Sequence, residues 1–285
     1  VPANYKAELV GCFGDPVAEN PTGVMQEAAF NAMGLNWRYL TIEVKREGLA
    51  DAMRGIRAMG FQGINLTIPH KVAVMELLDD VAPDARMIGA VNTVRREGNR
   101  LIGENTDGKG FLRGIREDGG IDPKGKRVVI LGAGGAARAI GVELALAGAA
   151  ELVIYNRSQE RGQSMVSDLK SRAKANASFE QWSKTVHVTE EVDILVNATS
   201  IGLFPDVGAM PDVSLDGARP ALMVCDVIPN PPETRLVQAA RARGLKVLTG
   251  LPMLVYQGAI GFEMWTGQKP PEQVMKEALS RAFGL

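Results

Sequence analysis

The stretch Val128–Arg161, VVILGAGGAARAIGVELALAGAAELVIYNRSQER, constrains the fold more than any other part of this chain. An apolar run, VVIL, breaks into Gly132-Ala133-Gly134-Gly135-Ala136-Ala137, continues as a helix-like AARAIGVELALAG and ends in a second strand-like run, ELVIYN. Strand, glycine turn, helix and strand within about thirty residues make a mononucleotide-binding βαβ unit. Gly132 permits the tight turn, Gly134 lets the backbone approach a pyrophosphate, and Ala137 takes the small position where helix and strand pack closely. Together with Ala133, Gly135 and Ala136 these residues form the candidate diphosphate site, faced by free N–H groups at the helix start. A glycine turn that binds nothing is the plain alternative, and the βαβ context favours the dinucleotide.

The end of the second strand sets the cofactor. An NAD site usually carries Asp or Glu about twenty residues beyond the glycines, to hold the ribose hydroxyls. Here the position reads Asn156-Arg157-Ser158, with Arg161 one turn on. Two guanidiniums and a hydroxyl suit a 2′-phosphate, because Arg pairs bidentately with phosphate and stacks on adenine. NADP is therefore expected, with NAD as the second choice. The alternative is that Arg157 and Arg161 are ordinary solvated residues at a helix start.

The 285 residues allow two modest domains or one large one. Hydrophobic residues at 46% and charged residues at 23% are ordinary for a globular protein. A net charge of −1 offers no field for nucleic acid or an anionic membrane. No apolar run approaches the length of a membrane span, and no basic-apolar leader opens the chain, so a cytoplasmic protein is expected. Cys12 and Cys225 both sit in apolar strand-like runs and read as reduced core thiols. With His70 and His187 the only histidines, a histidine-built zinc site is not expected, and no metal is assigned. The partners implied are a small-molecule substrate and, as an open question of assembly, a homodimer.

The first third alternates strand and helix signals. Ala7–Phe13, Trp37–Val44 and Gly63–Ile68 read as strands, Val24–Gly34 and Leu49–Met59 as helices, the first burying Met25, Ala28, Ala29 and Ala32. A further helix is expected from Pro69 through Leu78. Val91–Arg96 and Arg100–Glu104 read as a hairpin across Glu97-Gly98-Asn99. Asp107–Gly119 reads as a connecting helix. Beyond Arg161, helical Gln163–Lys174 precedes Val192–Asn197 and Ala221–Val227, buried parallel strands, with Leu245–Leu248 the last strand. The tail, Met253–Phe262 and Glu272–Phe283, is helical. The fold class is α/β: an N-terminal α/β substrate domain over residues 1–107, then a Rossmann-type dinucleotide-binding domain with a parallel sheet over 108–250. The C-terminal helices of 251–285 are expected to pack back on the first domain.

Three polar clusters stand at strand ends, where open α/β sheets place ligands. They are Asn65-Leu66-Thr67-Ile68-Pro69-His70-Lys71, Gly89-Ala90-Val91-Asn92-Thr93 and Gly103-Glu104-Asn105-Thr106-Asp107-Gly108. At these residues the chain resembles the shikimate dehydrogenase family, whose motifs include N-x-T-x-P-x-K, G-A-x-N-T and N-T-D-G. The resemblance continues through GAGGAARA (132–139), NRS (156–158), NATSIG (197–202) and GLPMLVYQGAIGF (250–262), in the same order along nearly the whole chain.

By that resemblance Lys71 and Asp107 are the catalytic pair. Oxidising a ring hydroxyl needs a proton acceptor within reach of its oxygen, and the reverse reaction needs a donor at the same place. The resemblance also implies that Asn65, Thr67, Asn92 and Gln257 bind substrate, with Asp107 also reaching its hydroxyls and Asn105 and Thr106 positioning Asp107. Thr199, with Asn197 and Gly202, forms the turn beneath the nicotinamide half, where Val227, Ile228, Gly250 and Met253 also approach. His70 is read as a structural or surface residue. The activity implied is hydride transfer between NADP and a ring hydroxyl or ketone of shikimate or a shikimate-like cyclic polyol acid. An NAD-dependent quinate/shikimate-type dehydrogenase and a catalytically idle nucleotide-binding sensor are the alternatives.

Two departures bear on the substrate. The family's G-x-P-x-x-x-S-x-S-P, whose serines hold the substrate carboxylate, reads Gly14-Asp15-Pro16-Val17-Ala18-Glu19-Asn20-Pro21-Thr22-Gly23 here. Asn20 and Thr22 take the serine places and are the candidate substrate contacts there. The family's D-x-x-Y-x-P reads Asp226-Val227-Ile228-Pro229-Asn230-Pro231, so Pro229 stands where a phenol is usual.

Overall fold

The structure, a computed structural model, describes residues 5–285. Its elements run β1 (Glu8–Gly14), α1 (Thr22–Ala32), β2 (Trp37–Glu43), α2 (Leu49–Met59), β3 (Gly63–Leu66), β4 (Asp80–Val81), α3 (Pro83–Ile88), β5 (Thr93–Glu97) and β6 (Arg100–Glu104). They continue with α4 (Thr106–Glu117), β7 (Arg127–Leu131), α5 (Gly135–Leu146), β8 (Glu151–Asn156), α6 (Gln159–Arg172), β9 (Ala177–Gln181), β10 (Val186–His187) and β11 (Ile194–Asn197). The last are β12 (Val213–Ser214), β13 (Met223–Asp226), α7 (Arg235–Ala242), β14 (Lys246–Leu248), α8 (Gly250–Thr266) and α9 (Glu272–Ala282). The chain divides into two compact units, one ending at Thr106 and resuming at Gln257–Leu285, the other Asp107–Tyr256. Both divisions fall inside helices, α4 and α8. The sequence reading puts the second at 250, at the start of α8 rather than within it.

The N-terminal unit is built on a six-stranded mixed sheet in the order β2-β1-β3-β5-β6-β4. Strands β1, β2 and β3 are parallel, while β5 runs antiparallel to both β3 and β6, the hairpin expected from the sequence. One face is covered by α2, which turns Leu49, Met53 and Ile56 onto Phe13, Phe61, Ile64 and Val94. On another side the Phe30 ring of α1 stacks on Phe262 of α8 at 5.4 Å between centroids, and α9 packs along α1. Aromatic pairs of this kind contribute about 0.5–1.5 kcal/mol beyond their buried area. Trp265 donates its indole N–H to the Val94 carbonyl at 3.0 Å, tying α8 to the sheet.

Two expectations are corrected in this unit. The buried face of α1 is Thr22, Met25, Gln26, Ala29 and Phe30; Met25 and Ala29 of the expected stripe lie on it, while Ala28 is half-buried and Ala32 exposed. The larger Phe30 side chain sets the rotation, because it gains more by burial than alanine does. The segment after Pro69 is not an α-helix; it is a tight turn followed by a short 3₁₀ helix, Ala73–Leu77. His70 explains this: its buried ring nitrogen Nε2 lies 2.7 Å from the Val44 carbonyl, and its N–H donates to Thr67 O at 2.8 Å. Those bonds fix the turn before a helix can propagate.

The second unit carries a six-stranded, all-parallel sheet in the order β14-β13-β11-β7-β8-β9. The order reverses between β7 and β11, and at such a switch point the crevice beyond the strand ends takes ligands. Central strands β7, β11 and β13 are buried on both faces, which is why they read as continuous apolar runs. Strand β9 escaped the sequence reading because Ala177–Gln181 carries Ser, Glu and Gln in an edge position with little apolar patterning. A small parallel pair, β10 with β12, lies apart from the main sheet.

Cys12 and Cys225 are buried free thiols on β1 and β13. Burial pushes the Cys12 thiol up to about 12 and Cys225 higher still. Because the thiolate is the reactive form, neither thiol is a nucleophile at neutral pH. A disulfide-exchange reagent should titrate no thiol in the native protein and both after denaturation. At the start of α8, a Cβ on Gly250 would lie 2.4 Å from the Ile228 carbonyl oxygen. Overpacking of this kind typically costs about 1–3 kcal/mol. Gly250→Ala should therefore lower the urea midpoint, and unfolding followed by circular dichroism measures it.

Candidate functional site

In the N-terminal unit the polar clusters meet at the ends of β1, β2, β3 and β5. Asn65 closes β3 with both ends of its amide hydrogen-bonded. Its Oδ1 accepts the Tyr39 hydroxyl at 2.8 Å, while its Nδ2 donates to Thr93 Oγ1 at 2.9 Å and to the Asn92 carbonyl at 3.3 Å. Asn92 in turn opens α4. Its Oδ1 accepts the Thr106 N–H at 2.7 Å and its Nδ2 donates to Thr106 Oγ1 at 3.0 Å. A side-chain amide therefore caps this helix from outside it, satisfying a donor that a helix start leaves open. Gln257 Oε1 lies 3.5 Å from Thr106 Oγ1, so the C-terminal helix brings its amide to the same cluster. Asn105, buried beside it, donates to the Ala90 carbonyl at 3.1 Å.

Lys71 enters this network through its main chain, its carbonyl accepting the Val91 N–H at 2.8 Å, one residue before Asn92. Its ammonium acts electrostatically on Cys12, the effect opposing the thiol's burial. Asp107 follows Thr106 directly and is the first residue of the second unit. The Thr67 N–H donates to the Phe13 carbonyl at 3.0 Å, which sets the loop after β3 beside the end of β1. Asn20 and Thr22 lie at the entrance to α1. Asn20 Oδ1 accepts the Thr22 N–H at 3.0 Å, and its Nδ2 reaches Cys12 Sγ at 3.7 Å. The Thr22 hydroxyl is buried against the phenol of Tyr39.

A continuous chain of polar contacts thus runs from Asn20 through Cys12, Tyr39, Asn65, Thr93, Asn92 and Thr106 to Gln257. The structure brings together every substrate-side residue of this unit named from the sequence, either in that chain or on the loop next to it. Tyr39 was not legible beforehand. It is the one buried residue of edge strand β2, and only its partners on α1 and β3 show what its hydroxyl does.

In the second unit the glycine turn lies at the end of β7. Gly132 has φ +107°, and a Cβ there would lie 2.9 Å from the Ala198 carbonyl oxygen, so this turn and the one after β11 pack backbone to backbone. Gly134 and Gly135 face open space, and α5 begins at Gly135 with no side chain capping its N–H groups. An uncapped helix start with clear space before it fits a diphosphate. Ala133 is buried beneath the turn and Ala136 is half-buried. Ser158 caps α6 through Arg161 N–H, Asn156 Nδ2 donates to the Ser158 carbonyl at 2.8 Å, and Gln181 Nε2 donates to the Arg157 carbonyl at 2.8 Å. The loop is thereby shaped through its backbone, and the Arg157 and Arg161 side chains project exposed at its rim.

The turns after β11 and β13 are joined by a buried carboxylate. Asp226 accepts Asn197 Nδ2 at 3.1 Å, the Thr234 hydroxyl at 2.7 Å and the Ile228 N–H at 3.1 Å. Burial pushes its carboxyl above the ordinary range, and these donors oppose the shift. Thr199 Oγ1 donates to Asn197 Oδ1 at 2.7 Å, and the Val227 N–H donates to the Asn197 carbonyl at 3.1 Å. Thr199, Val227 and Gly250 are therefore gathered at neighbouring strand ends, and half-buried Met253 follows Gly250 on the first turn of α8. Asp226 is the organising residue that the sequence reading left without a role of its own.

Comparison with known proteins identifies the family. Residues 12–94 match the shikimate dehydrogenase substrate binding domain, residues 117–204 the shikimate/quinate 5-dehydrogenase family, and residues 250–279 the shikimate 5'-dehydrogenase C-terminal domain. A shikimate dehydrogenase (NADP(+)) of Methanopyrus kandleri is 44% identical over 281 residues, 98% of this chain and 97% of its own length. The ligand-free 5-ketofructose reductase of Gluconobacter sp. strain CHM43 superposes with a TM-score of 0.94 at 47% identity, covering 98% of this chain and all of that one. The shikimate 5-dehydrogenase of Listeria monocytogenes, in complex with shikimate and NAD, gives a TM-score of 0.91 at 35% identity, covering 98% of each chain. With its motifs, both sheets and nearly its full length accounted for, the chain belongs to the shikimate dehydrogenase family of NADP-dependent oxidoreductases acting on a CH–OH group.

Proposed function

We propose that this chain interconverts a ring hydroxyl and a ketone of shikimate or a shikimate-like cyclic polyol, with Lys71 as the proton-transferring group and Asp107 as its orienting partner. The glycine turn at 132–136 and Asn156, Arg157, Ser158 and Arg161 would hold NADP, which would supply the redox chemistry as a hydride acceptor or donor for the substrate carbon. The observation that carries the reading is the linkage of Lys71 to Asp107 through the chain itself. The Lys71 carbonyl is bonded to Val91, the adjacent Asn92 caps α4 at Thr106, and Asp107 is the next residue.

Each side chain then has a definable task. The Lys71 ammonium donates a proton to the carbonyl oxygen during reduction and its neutral form takes it back during oxidation. Thr67 and Gln257 hold flanking hydroxyls, and Asn65 and Asn92, whose amides are engaged internally, act mainly by fixing the shape of that pocket. Thr199, Val227, Gly250 and Met253 form the surface for the nicotinamide half. The buried free thiols support a reducing compartment, consistent with a cytoplasmic enzyme. A second reading, reduction of a keto sugar, is favoured by the 47% identity to a protein named 5-ketofructose reductase together with Asn20 and Thr22 in the serine places.

Lys71→Ala should lower kcat by about a hundred- to ten-thousand-fold, the usual range for a lost acid–base group, with little change in NADP affinity. Steady-state kinetics with cofactor titration tests this, and a variant retaining most of its kcat removes Lys71 from the mechanism. Arg157→Ala should weaken NADP about ten- to a hundred-fold while sparing NAD, because only NADP offers a 2′-phosphate to a charge-assisted bond. Fluorescence titration of both cofactors decides it; equal losses would show that Arg157 does not read the phosphate.

A further inference from the structure

We infer that the pocket end formed by Asn20 and Thr22 receives an uncharged part of the substrate, so that this chain selects a neutral polyol over a carboxylate at that position. The inference rests on the reaction proposed above and narrows its substrate class.

Three independent features lead there. First, the side chains that would face an anion already have partners inside the protein. Asn20 is folded into its own turn, with Oδ1 on the Thr22 N–H at 3.0 Å and Nδ2 on Cys12 Sγ. The Thr22 hydroxyl is buried against the Tyr39 phenol, whose own proton goes to Asn65 Oδ1. A carboxylate moved from water to such a place would lose its hydration and gain few hydrogen bonds in return.

Second, the surrounding charge has the wrong sign. The loop that carries Asn20 also carries Asp15 and Glu19, and Glu43 ends the neighbouring strand β2. Lys45 is the cation placed among them, and it is bound to Asp15 at 2.8 Å and to Glu43 at 2.9 Å. Asp15 and Glu43 together outweigh the Lys45 ammonium they share, which disfavours an incoming anion at this rim. The Lys71 ammonium also acts on Cys12, and the proposed reaction commits it to the reacting oxygen.

Third, the polar groups at this end are of the kind that suit hydroxyls. The amide, thiol, phenol and alcohol here are all uncharged and present both donors and acceptors, so a hydroxyl placed beside them leaves no charge uncompensated.

The test uses shikimate and its primary amide, two ligands of nearly the same shape that differ in charge. Calorimetric titration of the full chain with bound NADP should show the amide binding about tenfold or more tightly than the acid, the scale of one unsatisfied charged group. The variant Asn20→Ser with Thr22→Ser should shift that ratio about tenfold toward the acid. Tighter binding of the acid by the unaltered protein would overturn the inference, as would a ratio that the serines leave unmoved. NADPH absorbance followed on the same samples reads the reaction separately. An amide that binds preferentially without NADPH being formed would overturn the proposed dehydrogenase reaction while leaving the charge preference standing.

Discussion

Buried amides and hydroxyls must find partners inside the protein, and at the strand ends of the N-terminal unit they find each other. Asn65, Asn92, Thr93 and Thr106 satisfy one another across β3, β5 and the start of α4, with no charged group among them. Leaving one of these groups unpaired would cost about 1–3 kcal/mol, so the cluster stands or falls as a unit. Its consequence is positional. Asn92 caps α4 at Thr106, the residue before Asp107, while the neighbouring Val91 holds the main chain of Lys71. The main chain of Lys71 and the start of α4 are thus placed by uncharged polar groups.

The second unit solves the same problem with a charge. Asp226 is buried at the end of β13 and accepts from Asn197, Thr234 and the Ile228 N–H. Those bonds hold together the turns after β11 and β13, where the parallel sheet has reversed its order. Gly132 meets the first of these turns through its backbone, and Gly250 meets the second at Ile228. Backbone packed against backbone leaves no space for side chains, which is the physical reason for glycine at both positions. What remains open is the approach to the start of α5, where helix N–H groups have no internal partner.

Much of this was legible in the sequence. The dinucleotide unit is written locally, because strand, turn and helix each follow from propensity and glycine geometry over a few residues. The polar motifs at strand ends were legible for a related reason: Asn, Thr and Lys interrupt apolar runs where a strand stops. Patterning failed where long-range partners decide. The helix expected after Pro69 is a turn because His70 is bound to Val44, a residue on another segment. The face of α1 is set by Phe30 stacking on Phe262, at the far end of the chain. Strand β9 is polar and finds its place only by pairing with β8.

The same division separates the site's residue list from its chemistry. The order of motifs along the chain determined the fold class, the cofactor-binding turn and the identity of the residues gathered at each strand end, since these depend on local spacing. Which of those residues still have hydrogen-bonding capacity to offer a substrate was decided by tertiary structure alone. Asn65 and Asn92 read as substrate contacts from their motifs, and the folded chain adds partners on other strands and on α4 that orient both amides. Tyr39 carries no signal in its own strand and becomes a hub only when α1 and β3 lie beside it. A buried polar group is defined by what satisfies it, and that partner is set by the folded chain rather than by its neighbours in sequence.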